Sequence, residues 1–176
     1  MRGYLGLLAS DGKTTRLLAA SGVLDEPIDW RHTDFVKKPM ALDDSASQKL
    51  APTSIAGLDL APYTIAPNQT AIGIRVAWQE MYSGGGAEYT ALVLVAVQGD
   101  RLRPVLGVPI SAFSDIAGDW HKDGTRDHQI YDAANILIIS SHQTHRHFDL
   151  LLKSRTIPWS RIYRWRAATH AYFAAP

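Results

Sequence analysis

The chain has 176 residues, 46% of them apolar, a formal net charge of +1 and no cysteine. That length and apolar content suffice for one domain with its own core, while the missing cysteines exclude disulfides, zinc–thiolate sites and thiol nucleophiles. A charge so near neutral argues against nucleic acid as a partner of the whole molecule, and no apolar run is long enough to span a bilayer as a helix.

Met1 and Arg2 lead into GYLGLLAS, which is too short for a secretory apolar region with a cleavage site. The first predicted element is a hairpin over residues 1–22, with YLGLLAS and TTRLLAAS joined at Asp11-Gly12, a dipeptide that reaches positive φ easily. Residues 23–62 carry Pro27, Pro39, Pro52 and Pro62 and show no sustained period. They read as an irregular segment wrapping the body through Trp30, Phe35 and Leu60, with one short helix near SASQKLA. From Tyr63 onward the pattern is β. In TAIGIRVAWQEMY, Ile72, Ile74, Val76 and Trp78 alternate with Gly73, Arg75, Ala77 and Gln79, the period of a half-buried strand. YTALVLVAV and, after a Gly99-Asp100 turn, GDRLRPVLGVPIS continue a meander. HQIYDAANILIISS reads as a strand pair bent at residues 132–135, and FDLLLKSRT and RIYRWRAATHAYFA add more strands. The expected fold is therefore mostly β: an antiparallel meander forming a sandwich or small barrel, one domain over 1–176 with its main sheet at 63–176.

Three stretches carry residue types suited to binding. MYSGGGAEYT places Gly84, Gly85 and Gly86 between Tyr82 and Tyr89, with Ser83, Ala87 and Glu88 beside them. It lacks the lysine and the strand-to-helix context of a phosphate loop; either it connects two strands or it enters a cleft, since glycine permits close backbone approach. In GDWHKDGTRDH, Asp119, His121, Asp123, Gly124 and Asp127 fall at relative positions 1, 3, 5, 6 and 9, similar to a calcium loop in which alternate residues turn oxygens inward. His121 is a poor ligand for a hard cation, and Ile130 stands where such a loop has its bidentate glutamate; an acidic turn hinged at Asp123-Gly124 is the plainer account. HQTHRHFD offers His142, His145 and His147 as an alternative metal set for zinc, copper or nickel, or else a polar hairpin tip.

No nucleophile elbow or S-x-x-K motif is present, and paired carboxylates such as Asp43-Asp44 or Glu80 and Glu88 are not specific, so a catalyst is not the expectation. Ser83, Gly86, Ala87 and Tyr89 resemble the S-x-x-G-A-x-Y stretch of the membrane-bound and periplasmic inhibitors of C-type lysozyme. A related group of exported immunity proteins joins such a β fold to an EF-hand-like loop. The resemblance implies a soluble periplasmic or exported protein that occludes a protein partner, a cell-wall hydrolase or secreted toxin, without an obligatory cofactor and with calcium as a candidate ion. Residues 82–89 would be its partner-binding loop, Ser83 the inserted hydroxyl and Tyr89 the rim aromatic. Two other classes stay open: a metal-dependent hydrolase using His121, His128, His142, His145 and His147, and a carbohydrate-binding or structural β module presenting Trp78, Trp120, Trp159 and Trp165.

Overall fold

The computed structural model describes residues 4–22, 28–30, 32–39 and 51–176. The short helix expected near SASQKLA and the Asp43-Asp44 pair lie almost entirely outside these residues. Ten strands follow in chain order: β1 Gly6–Ser10, β2 Thr15–Ser21, β3 Ser54–Ala66, β4 Gln69–Tyr82, β5 Gly85–Gln98, β6 Arg101–Trp120, β7 Arg126–Thr144, β8 His147–Ser154, β9 Ser160–Arg166 and β10 Ala171–Ala174. Among the described residues there is no helix, and hence none long and apolar enough to cross a membrane.

From β3 to β10 each strand pairs antiparallel with the next, and β3 and β10 remain separate edges, so the meander is not closed into a barrel. It folds over itself instead. Strand β7 pairs with β6 as far as Ser111↔Ala134, and with β8 from Asn135↔Ser154 onward. The bend expected at 132–135 is thus a change of partner within one continuous strand rather than a break between two. β8 then packs over β3, and β10 over β6, giving two layers in the manner of a sandwich. The N-terminal hairpin turns at Asp11-Gly12 as expected: Gly12 has φ 84°, and the Asp11 carboxylate accepts the amides of Thr14 at 2.7 Å and Lys13 at 2.9 Å. These bonds hold its acid below the ordinary value. The hairpin joins the sheet through a parallel contact, Ala20↔Arg101 and Ser21↔Leu102, which the meander pattern does not anticipate.

Two apolar clusters lie on opposite faces of the central strands. Partners in an antiparallel ladder share a face, so Trp78, Tyr89, Ala112 and Ala133 form one row across β4 to β7. They face Ile28, Trp30 and Phe35; the wrapping role expected of Trp30 and Phe35 is met, each being 2% exposed. Trp30 meets Trp78 edge-on at 5.4 Å and Tyr89 at 6.0 Å. The other face carries Leu92, Leu94, Val105 and Val108 against Leu150, Leu152, Tyr163, Trp165 and Tyr172 of β8 to β10.

The boundary expected at residue 62 is displaced. Residues 54–62 already belong to β3, an edge strand with register shifts between Ile55 and Gly57 and between Asp59 and Tyr63. These irregularities hide its period, and Leu60 projects into solvent at 88% exposure instead of docking. Because Trp30 fastens the N-terminal segment to the sheet through two aromatic contacts, Trp30→Ala is expected to lower unfolding free energy by about 3–5 kcal/mol, measured by urea denaturation. A loss under about 1 kcal/mol would mean that this segment is not part of the cooperative core.

Candidate functional site

The β4–β5 hairpin closes at Tyr82↔Gly85, leaving Ser83 and Gly84 alone in the turn. Each glycine of the triplet has a distinct local reason. Gly84 takes φ 89°, a backbone state that side chains resist. A Cβ on Gly85 would lie 2.0 Å from the Asp115 carbonyl oxygen of β6, and one on Gly86 would lie 3.1 Å from that of Glu80. The loop expected over 82–89 is therefore mostly strand: Gly85, Gly86, Ala87, Glu88 and Tyr89 are paired residues of β5. Tyr89 is 3% exposed against Trp30 and cannot act as a rim aromatic. Ala87 is likewise buried. The Tyr82 hydroxyl donates to Glu80 at 2.5 Å, and burial together with that carboxylate pushes its phenol well above the ordinary range. Glu80 and Glu88 do not form a pair, since alternation puts them on opposite faces.

What the hairpin end does present is a sheet face. On the side that β8 to β10 cover farther along, the rows Gln79–Glu88–Phe113–Asp132 and Met81–Gly86–Asp115–Ile130 run across β4 to β7. Met81 is 86% exposed, Ile130 68% and Phe113 44%, and a shallow depression of about 600 Å³ lies between Met81, Gly86, Glu88, Phe113 and Asp115. The Asp115 carboxylate is held by His128 Nδ1 at 2.7 Å. Across residues 79–90 and 113–132 the carboxylates are Glu80, Glu88, Asp115, Asp119, Asp123, Asp127 and Asp132, against Lys122 and Arg126. Residues 142–176 reverse that balance, with Arg146, Lys153, Arg155, Arg161, Arg164 and Arg166 against Asp149. Of these carboxylates, Glu88, Asp115 and Asp132 fall in the two rows of the uncovered face.

The β6–β7 hairpin does not assemble a cation cage. Asp123 Oδ1 accepts from the Thr125 amide at 3.0 Å and its hydroxyl at 2.7 Å, bonds that hold the acid below the ordinary carboxylate value. Asp127 pairs with His121 Nε2 at 2.8 Å, Gly124 supplies the turn at φ 85°, and Asp119 belongs to β6. Nor do His142, His145 and His147 converge. His142 Nδ1 bonds Asp149 at 2.7 Å, His147 stacks on Trp165 at 3.8 Å, and His145 sits in the turn at φ 51°. His121 and His128 lie towards the other end of β7. Among the described residues no three His, Asp or Glu side chains form a group able to hold a metal ion. Of the four tryptophans weighed for stacking, Trp78 and Trp165 are core and Trp159 packs against it; Trp120 is open, 69% exposed, with the Arg126 guanidinium 5.2 Å from its ring.

No protein-family model matches this chain, and neither a curated protein nor a solved structure matches it.

The hairpin makes separable demands at adjacent positions. Gly85→Ala is expected to cost about 1–3 kcal/mol through overpacking against Asp115, whereas Ser83→Trp at the exposed tip is expected to stay within about 0.5 kcal/mol of the parent. Paired urea melts check both, and equal effects would contradict the two-residue turn.

Proposed function

We propose that the protein is a binding inhibitor: it occludes a basic protein partner, most fittingly a cell-wall hydrolase outside the cytoplasm, with the uncovered end of its central sheet. The observation that carries this reading is that exposed Met81, Phe113 and Ile130 share their two cross-strand rows with Glu88, Asp115 and Asp132, while Arg161, Arg164 and Arg166 belong to β9 of the covering layer. Apolar residues of this size on an uncovered face suit a protein interface, and the acidic surround favours approach of a cationic enzyme and disfavours an acidic one. Ser83 at the tip is small and exposed, so the hairpin can precede the face into a cleft. The resemblance of this stretch to lysozyme inhibitors agrees with that reading in Ser83, but not in Tyr89. Inhibition would be stoichiometric, with no bond made or broken.

The test is a titration of the protein into basic muramidases digesting cell walls. Activity is expected to fall to a plateau near equimolar ratio, with weaker inhibition as salt rises. Met81→Lys and Ile130→Lys, both on exposed positions, are expected to raise the inhibition constant about tenfold or more without changing the melting temperature. Full activity at about tenfold molar excess, or lysine variants that inhibit unchanged, would overturn the proposal.

A further inference from the structure

The outer face of the second layer holds a different arrangement, independent of the docking face. In the register of β7, β8 and β9, Ile138 lies opposite Leu151 and Leu151 opposite Ile162. Beside this apolar row lie Ser140, Asp149 and Arg164, and together these side chains line a pocket of about 330 Å³. That volume is at the lower end of the range for small-molecule sites.

Asp149 is the unusual member. Its neighbours Leu150 and Leu152 point into the core, so alternation turns Asp149 outward, yet it is 3% exposed because other side chains close over it. Its Oδ2 accepts from His142 Nδ1 at 2.7 Å and lies 3.5 Å from Arg164 Nε. Its Oδ1 is buried without a partner among the described residues. A carboxylate in such surroundings is costly unless its charge is matched, and here it holds two basic side chains in place. Their outer ends stay free: the His142 and Arg164 side chains are 68% and 50% exposed. Bonding Nδ1 to Asp149 leaves Nε2 on the outer side of the ring. Engaging Arg164 through Nε leaves its terminal nitrogens. The Ser140 hydroxyl oxygen accepts the His142 amide at 3.1 Å, so its own proton is free to be donated. The terminal nitrogens of Arg164 and the Ser140 hydroxyl thus line the pocket as donors beside an aliphatic wall, and the guanidinium offsets the charge of Asp149.

We propose that this pocket binds a small monocarboxylate with an aliphatic body, its carboxylate held by Arg164 and Ser140 and its chain lying on Ile138, Leu151 and Ile162. A single guanidinium edge matches a planar carboxylate, and the apolar row would be wasted on inorganic phosphate.

Titration of the full chain with hexanoate, followed by amide NMR, tests the assignment. Hexanoate is expected to shift the amides of residues 138–142, 149–151 and 162–164 with a Kd of about 1 mM or tighter. Acetate, lacking the body, and hexylamine, carrying the opposite charge, are expected to bind at least about tenfold more weakly. Arg164→Gln and Ile162→Asn alter partly exposed side chains and are each expected to weaken hexanoate by about tenfold, with melting temperatures serving as the folding control. Absence of shifts at these amides, tighter binding of phosphate or hexylamine than of hexanoate, or undiminished binding to folded Arg164→Gln would each overturn the proposal.

Discussion

Between residues 89 and 96, strand β5 keeps no face for solvent. Tyr89, Ala91, Val93 and Val95 turn to one cluster, while Leu92, Leu94 and Ala96 turn to the other. A strand of this kind needs a cover on each side, and the rest of the chain supplies them: the N-terminal hairpin with Trp30 and Phe35 on one face, β8 to β10 on the other. The covers are shorter than what they cover. At about 3.3 Å per residue, the 8 residues of β8 and 4 of β10 cannot reach along the 20 of β6. The hairpin end of the sheet on that face therefore remains bare, and Met81, Phe113 and Ile130 are exposed through this mismatch of length.

The same mismatch governs charge. The two rows of the bare end carry Glu88, Asp115 and Asp132, and β9 of the covering layer carries Arg161, Arg164 and Arg166, so charge is unevenly spread although the whole molecule is near neutral. Net charge thus conceals the property that matters for association, because a partner meets one face at a time. The glycines of the β4–β5 hairpin serve this geometry: Gly85 allows β5 to lie against β6 right up to the turn, keeping the face continuous to its edge.

Where the period of two runs unbroken, the sequence discloses the structure. The alternation of β4, the Asp11-Gly12 and Gly99 turns and the β strands around them could all be seen, because each rests on local backbone preference and one buried face. The misjudged places are those where tertiary context overrides local signal. β3 is masked by its bulges and by Pro62, tolerable because an edge strand needs only one partner, with Pro52 just ahead of it. β7 looked like two strands because Asp132 and Asn135 interrupt its apolar run, yet Asn135 is buried, donating to Asp34 at 3.0 Å where the strand changes partner. Within the candidate site, the turn at Ser83-Gly84 was legible, but the depth of Tyr89 was not. Its burial depends on Trp30, some sixty residues earlier in the chain.

Asp149 shows the same limit from the other side. HQTHRHFD displays its histidines plainly, and their spacing admits both a metal set and a polar hairpin tip. A hairpin, however, separates residues that spacing alone would unite. With His145 and Arg146 in the turn at positive φ, His147 is drawn onto the Trp165 ring, while His142 is left opposite Asp149. The carboxylate, which the sequence offers as one acid among six bases, becomes the group around which Arg164 and His142 are arranged. Its role follows from that placement: the buried carboxylate fixes His142 and Arg164 while their outer ends stay exposed beside Ile138, Leu151 and Ile162.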